Sequence, residues 1–271
     1  MLSRRNALAG LAAATLGGCG GRKPVSPPVA ETLGPEPARP HVPGIDAVID
    51  LSHNVRVDDF GAIRRQANIL GVIHKASEGG DWIDPSYAER RQLAERAGLL
   101  WGAYHFGTRQ FTGQKQAQNF LAAAQPGPRT LMVLDFEPND PNPRNTMTLE
   151  QAEAFVRAIQ AATGRLPMVY TRASWVDGKR SSRGLRLPKP VGPESILARC
   201  DLWLAEYSET PTVPYAWQTR GWTLWQYAGD EVPENAAYGS VPRTIQGVSH
   251  ADRNIFNGTE AELRRFWGAR A

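Results

Sequence analysis

The sequence predicts one α/β domain, a closed parallel barrel of TIM type, and two observations carry that reading. Short apolar runs alternate with amphipathic helical segments over the first two-thirds of the 271 residues, after which helical periodicity fades while strand-like runs continue. Chemistry-bearing residues collect at the C-terminal ends of those runs, which is where parallel barrels place their sites.

Ala47-Val48-Ile49-Asp50-Leu51 reads as the first strand, with Asp50 near its end and Ser52-His53-Asn54 beyond. Phe60, Ile63, Ala67 and Leu70 share one face of a helix expected over Asp58–Leu70. Gly71–Ala76 is the second strand and leads into Ser77-Glu78-Gly79-Gly80. The next helix, Pro85–Ala97, has proline near its start and Gly98 at its end. Leu99–Phe106 supplies the third strand and Thr112–Ala124 a further helix. Leu131–Leu134, after the break at Pro126–Pro128, is a buried fourth strand. Thr148-Leu149-Glu150-Gln151 has capping-box spacing and starts a helix that runs to Thr163 and is closed by Gly164. Pro167–Thr171, Asp201–Tyr207, Trp222–Tyr227 and Gly247–Asp252 are the expected fifth to eighth strands. Between the fifth and sixth, Arg172–Arg199 lacks a strand pattern, and one short helix is expected near Glu194. Its basic run, Lys179 to Arg186, reads as a solvated loop, with contact to a polymer as the alternative.

The fourth strand ends in two carboxylates. Side chains alternate along a strand, so Asp135 and Glu137 point one way and Phe136 the other. At roughly 3.3 Å of rise per residue their Cα atoms lie about 6.5 Å apart. Carboxylates at that range suit acid–base work on a glycosidic bond, and Pro138 is expected to stop the strand. A lone D-x-E is more often a pair of solvated loop acids, so its company decides. Asp50, Lys75, Glu78, Tyr104, His105, Tyr170, Glu206, Gln226 and Asp252 also stand at strand ends. A closed barrel would gather them around one acidic, aromatic-rimmed groove suited to a carbohydrate.

Composition narrows the classes. Hydrophobic residues make up 41% of the chain, enough for a core, and a formal charge of +4 without a basic, aromatic-interleaved stripe does not suggest nucleic acid. Residues 1–21 pair Arg4 and Arg5 with a short Ala/Leu run and small residues, the layout of a secretory signal. Ser3-Arg4-Arg5 resembles a twin-arginine signal and Leu16-Gly17-Gly18-Cys19 a bacterial lipobox, so Cys19 is the expected lipidation site and membrane anchor. An ordinary cleaved signal, with Cys19 incidental, is the alternative, and Gly17 is a less usual lipobox residue. Residues 22–43 are proline-rich and read as an extended linker, which leaves 44–271 as the folded domain. The only other cysteine, Cys200, then has no partner for an intrachain disulfide and reads as a buried thiol.

Six motifs occur in order: Ile49-Asp50-Leu51-Ser52-His53, Lys75-Ala76-Ser77-Glu78-Gly79, Gly102-Ala103-Tyr104-His105-Phe106, Asp135-Phe136-Glu137, Trp225-Gln226-Tyr227 and Asp252-Arg253-Asn254. Together they resemble glycoside hydrolase family 25, the Chalaropsis-type lysozymes, from about Gly44 to the C-terminus. The resemblance implies a (βα)5β3 barrel and an N-acetylmuramidase that hydrolyses the β-1,4 bond between N-acetylmuramic acid and N-acetylglucosamine in peptidoglycan. It implies Glu137 as proton donor and Asp135 steering the 2-acetamido group in a substrate-assisted retaining route. Asp50 and Asp252 match the family's other acidic positions, and Tyr104 a substrate-contacting tyrosine. Lys75, Glu78, Tyr170, Glu206, Trp225 and Gln226 are further candidates to line the groove. Glu137 must be protonated to act as an acid, so burial and Asp135 are expected to raise its pKa. Ser77 replaces the threonine often found in the family, Pro138 follows Glu137 directly, and the stretches Arg172–Arg199 and Glu231–Arg243 look long.

Other readings stay open. A D-x-E at a strand end also resembles part of the family 18 chitinase signature, although Leu131 and Val133 hold the preceding alternate positions where that signature is acidic. A non-catalytic peptidoglycan-binding lipoprotein is the second alternative. His53, His74, His105 and His250 lie on separate strands without metal-ligand spacing, and no glycine-rich phosphate loop occurs, so neither metal nor cofactor is expected. The expected whole is an exported monomer of the cell envelope acting on glycan strands.

Overall fold

The computed structural model describes residues 44–181, 184–208, 210–229 and 245–268. The expected signal, the lipidation site at Cys19, the linker and the Glu231–Arg243 stretch lie outside the described residues.

The chain opens with β1 (Ile45–Leu51) and α1 (Phe60–Gln66), whose N-cap Asp59 accepts from Gly61 N at 2.7 Å. This helix is shorter than its apolar spacing suggests. Asn68 turns left-handed at φ 56°, and Ile69 and Leu70 pack as buried connectors instead. Next come β2 (Gly71–Glu78) and β3 (Trp82–Ile83), an antiparallel hairpin that sequence reading missed because β3 is two residues long. Then follow α2 (Tyr87–Arg96), β4 (Leu100–Phe106), α3 (Gly113–Ala124), β5 (Leu131–Asp135), α4 (Leu149–Thr163) and β6 (Met168–Thr171). Thr148 and Gln151 form the expected reciprocal capping box on α4.

The Arg172–Arg199 excursion holds two short pieces rather than one. A single turn, α5 (Ala173–Val176), follows β6 directly, and a 3-10 turn covers Ile196–Arg199. β7 (Leu202–Ala205), β8 (Leu224–Ala228) and β9 (Asp252–Phe256) complete the strands, and α6 (Glu260–Gly268) ends the described chain.

The expectation of an eighth strand over Gly247–Asp252 is corrected by two findings. Residues 247–249 bond to the β1–α1 loop, with Asp58 N donating to Gly247 O at 2.8 Å and Ser249 N to Arg56 O at 2.9 Å. The strand begins at Asp252, the last residue of the expected one, and runs antiparallel to both neighbours, β1 and β8. The late region is not helix-free either, because α6 closes it.

Strand order β1-β9-β8-β7-β6-β5-β4-β2, with β1 pairing β2 again, closes an eight-stranded barrel. Two apolar layers hold it. Val48, Ile73, Leu131, Val133, Met168 and Leu224 fill the inside with Leu263 and Trp267 of α6. Ile49, Val72, Met132, Leu134, Val169 and Leu202 face outward onto Phe155, Val156 and Ile159 of α4 and their neighbours. Trp267 stoppers the N-terminal end: it is fully buried, its Nε1 donates to Trp101 O at 3.0 Å, and a Cβ on Gly71 would meet its ring at 2.9 Å. The opposite end is left to polar residues.

Candidate active site

Strand alternation delivers the site. In β5, Leu131 and Val133 belong to the inner layer, Met132 and Leu134 to the outer, so Asp135 turns inward. The ladder stops at Asp135, three residues before Pro138, yet the direction persists. Phe136 N donates to Tyr170 O at 2.9 Å and Thr171 Oγ1 to Phe136 O at 2.7 Å, which keeps Phe136 outward and returns Glu137 to the inner face.

Asp50, Tyr104, Asp135, Glu137, Tyr170, Trp203, Gln226 and Asp252 line one pocket of about 120 Å³ at this end of the barrel. That is roughly the liquid volume of four waters, room for an acetamido group but not a whole sugar. A larger hollow of about 980 Å³ is lined by Pro128, Arg165, Arg199 and Phe266, but its one carboxylate, Asp201, is paired with Arg220 at 3.2 Å. Volume does not pick out the chemistry here. Carboxylate density does.

Asp50 and Asp252 face each other directly across the antiparallel β1–β9 register, an arrangement that ordinarily repels. Gln226 resolves it. Tyr170 and Tyr207 hydroxyls both donate to its Oε1, at 2.8 and 2.9 Å, which fixes the amide orientation. Its Nε2 then points at Asp50 Oδ2 (3.0 Å) and Asp252 Oδ2 (3.5 Å). Asn254 adds a second donor to Asp50 at 2.8 Å and is itself oriented by Trp203 Nε1, 2.6 Å from its Oδ1. Gln226→Leu keeps the volume but removes the acceptor shared by two phenols and a donor to two carboxylates. It is expected to lower kcat/KM on cell-wall glycan by on the order of 10²-fold and to depress the melting temperature. Wild-type turnover in that variant would remove Gln226 from this role.

Asp135 carries its charge in a buried setting. Burial and then the neighbouring Glu137 push its carboxyl well above the usual range, while Lys75 and Arg172 pull the other way. Its Oδ1 is buried with no hydrogen-bond donor among the described residues. The phenols of Tyr104 and Tyr170 are likewise raised well above their ordinary value, chiefly by burial, so both remain donors. Glu137 is partly buried, and its Oε2 lies 3.2 Å from Arg172 Nη2.

Other candidates sit elsewhere. Lys75 pairs with Glu78 at 2.7 Å and lies over the rings of Trp82 and Phe106, beside the pocket rather than in its lining. Glu206 accepts from Thr212 N and, at 3.0 Å, from Thr212 Oγ1, which commits its carboxylate to the loop after β7. Trp225 alternates with Gln226, so it points out of the barrel, is fully buried, and donates Nε1 to Glu206 O at 2.7 Å. It is a wall residue, away from the groove. His105 bonds Ser77 Oγ and Gln116 Oε1 beneath the helices, and burial lowers its pKa to about 3. His74 is lowered to about 4 by the same cause and bonds Lys75 O and Arg90. Arg172, Trp203 and Tyr207 are not among the sequence candidates, and Asn254 enters there only within the Asp252-Arg253-Asn254 motif.

The comparisons with known proteins agree with this geometry. The model of glycosyl hydrolases family 25 matches residues 49–235. Lysozyme M1 of Streptomyces globisporus is 28% identical over 227 residues, 79% of this chain and 69% of that protein. The N,O-diacetylmuramidase of a Chalaropsis species is 29% identical over 191 residues, 65% of this chain and 82% of that protein. Among solved structures, the bacterial lysozyme from Streptomyces coelicolor matches with a TM-score of 0.64 at 26% identity, covering 84% of this chain and 99% of that one. With the family model matched over more than half of its length, the chain belongs to glycosyl hydrolases family 25.

Proposed function

We propose that the chain is an N-acetylmuramidase that cleaves the β-1,4 bond between N-acetylmuramic acid and N-acetylglucosamine in peptidoglycan. The observation that carries this reading is Asp135: a buried, proton-hungry carboxylate beside Glu137, with one unpartnered oxygen facing a pocket of acetamido size. A substrate acetamido N–H would satisfy that oxygen. Asp135 then holds the acetamido group so that its carbonyl oxygen attacks the anomeric carbon, while Glu137 protonates the departing glycosidic oxygen. Water, deprotonated by Glu137, opens the resulting ring with overall retention, outside the usual two-carboxylate scheme. Asp50 and Asp252, held by Gln226, supply fixed negative potential near a sugar ring that turns cationic.

Mass spectrometry of fragments released from defined sacculi tests the reading. New reducing ends should be N-acetylmuramic acid. Ends at N-acetylglucosamine, preferential cleavage of chitin oligomers, or binding without new ends would each overturn it. The signal-like residues 1–21 and Cys19 support a location at the envelope, with residues 22–43 as the link to a lipid anchor. Fatty-acid labelling of the full chain that persists in Cys19→Ser would refute the anchor.

A further inference from the structure

We propose that Arg172 is a substrate-sensing clamp on Glu137: it holds the acid as an ion pair in the empty groove and releases it when an anionic group of the glycan takes the guanidinium. This rests on Glu137 being the proton donor.

The geometry is specific. Arg172 directly follows β6 and is pinned by its backbone, since its carbonyl accepts from Trp175 N at 3.1 Å and Val176 N at 3.2 Å. From that fixed base its Nη2 reaches Glu137 Oε2 at 3.2 Å. The two side chains differ in exposure, 27% for Arg172 and 16% for Glu137, so the cation presents the more open face. A guanidinium is a planar fork suited to carboxylates, and it can trade one for another without losing charge.

An arginine against a proton donor opposes its chemistry, because a cation favours the carboxylate over the acid. The surroundings of Glu137 otherwise favour protonation. Asp135 from β5, Asp50 from β1 and Asp252 from β9 line the same pocket, together with the phenols of Tyr104 and Tyr170. Tyr207 bonds into this group through Gln226. Lys75 from β2 is the other cation acting on the Asp135 carboxyl. Withdrawing Arg172 takes a cation away from Glu137 in a pocket whose described lining also holds three other carboxylates and two phenols. Glu137 then takes one proton from solvent hydronium, leaving water, and passes it to the leaving glycosidic oxygen. Peptidoglycan supplies the competing group, because its glycan carries acidic peptide stems. Uncharged N-acetylglucosamine polymers do not.

The test compares kcat/KM across pH on two substrates, peptidoglycan fragments with free stem carboxylates and the same fragments with those carboxylates converted to amides. Wild type is expected to prefer the anionic fragments by about tenfold, and Arg172→Gln to lose that preference. Removing the cation should also move the alkaline limb of the Arg172→Gln profile upward by about one pH unit. Arg172→Lys, which keeps the charge, should keep the limb near wild type, and melting curves of both variants check that the fold is retained. An unchanged limb and an unchanged preference in Arg172→Gln overturn the clamp. Glu137→Gln serves as the control that separates the two failures: turnover in that variant overturns the acid assignment itself, whereas silence in it alongside an indifferent Arg172→Gln overturns only the clamp.

Discussion

Replacing Glu137 by glutamine is expected to lower hydrolysis of purified sacculi by on the order of 10³-fold while leaving the fold intact. Glutamine matches glutamate in shape and removes only the charge that pairs with Arg172, 3.2 Å away in the wild type. The amide has no proton to give the leaving oxygen, and its nitrogen cannot deprotonate water in the second half of the reaction. KM should change little, since the pocket walls contributed by Tyr104, Trp203 and Gln226 are untouched. Release of reducing ends, measured alongside a thermal melt, checks both halves. Near-normal turnover from a folded variant would disqualify Glu137.

Asp135→Asn should move activity and stability in opposite directions. The amide cannot stabilise the positive charge that develops on the acetamido nitrogen, and a loss on the order of 10²-fold is expected. Stability follows from linkage. Burial, then Glu137, raise the Asp135 carboxyl in the native state, so the folded protein binds this proton more tightly than the unfolded chain. Ionising it therefore costs the fold stability. The cost is absent below the unfolded carboxylate value near 3.9, and it grows as pH rises from there toward the elevated native value. At neutral pH the asparagine variant should melt higher than wild type, and the gap should close as pH falls below about 4. A variant that melts lower at neutral pH would show that Asp135 is held by favourable contacts rather than tolerated for function. Sites that trade stability for activity behave in the first way.

How much of this was legible in sequence depends on where each residue finds its partner. Asp135 and Glu137 could be read because alternation is local: three consecutive residues determine which face each occupies. Strands β1, β2 and β4 to β8 announced themselves as apolar runs. β9 did not, because Arg253 and Asn254 interrupt it, and both are buried with distant partners. Arg253 bonds Asp46, and Asn254 bonds Asp50 and Trp203. The helix α6 did carry a local signal. Thr259-Glu260-Ala261-Glu262 is a capping box, with Glu262 Oε2 accepting from Thr259 N at 2.8 Å, and Leu263, Phe266 and Trp267 follow at helical spacing. Trp225 was misplaced by counting it with Gln226 instead of alternating between them. Arg172 and Tyr207 lie just past strand ends, where backbone direction changes, and no short-range pattern says what they touch.

The β1–β9 seam has a consequence for biogenesis. Asp50 is synthesised some two hundred residues before Asp252, and the two meet only when β9 slots between β1 and β8. Until then the sheet carries two raw borders, prone to sticking to other chains, and its acidic ring lacks Asp252. A product stalled before β9 would therefore lack both the closed barrel and Asp252, and with them the assembled groove that wall-degrading chemistry needs.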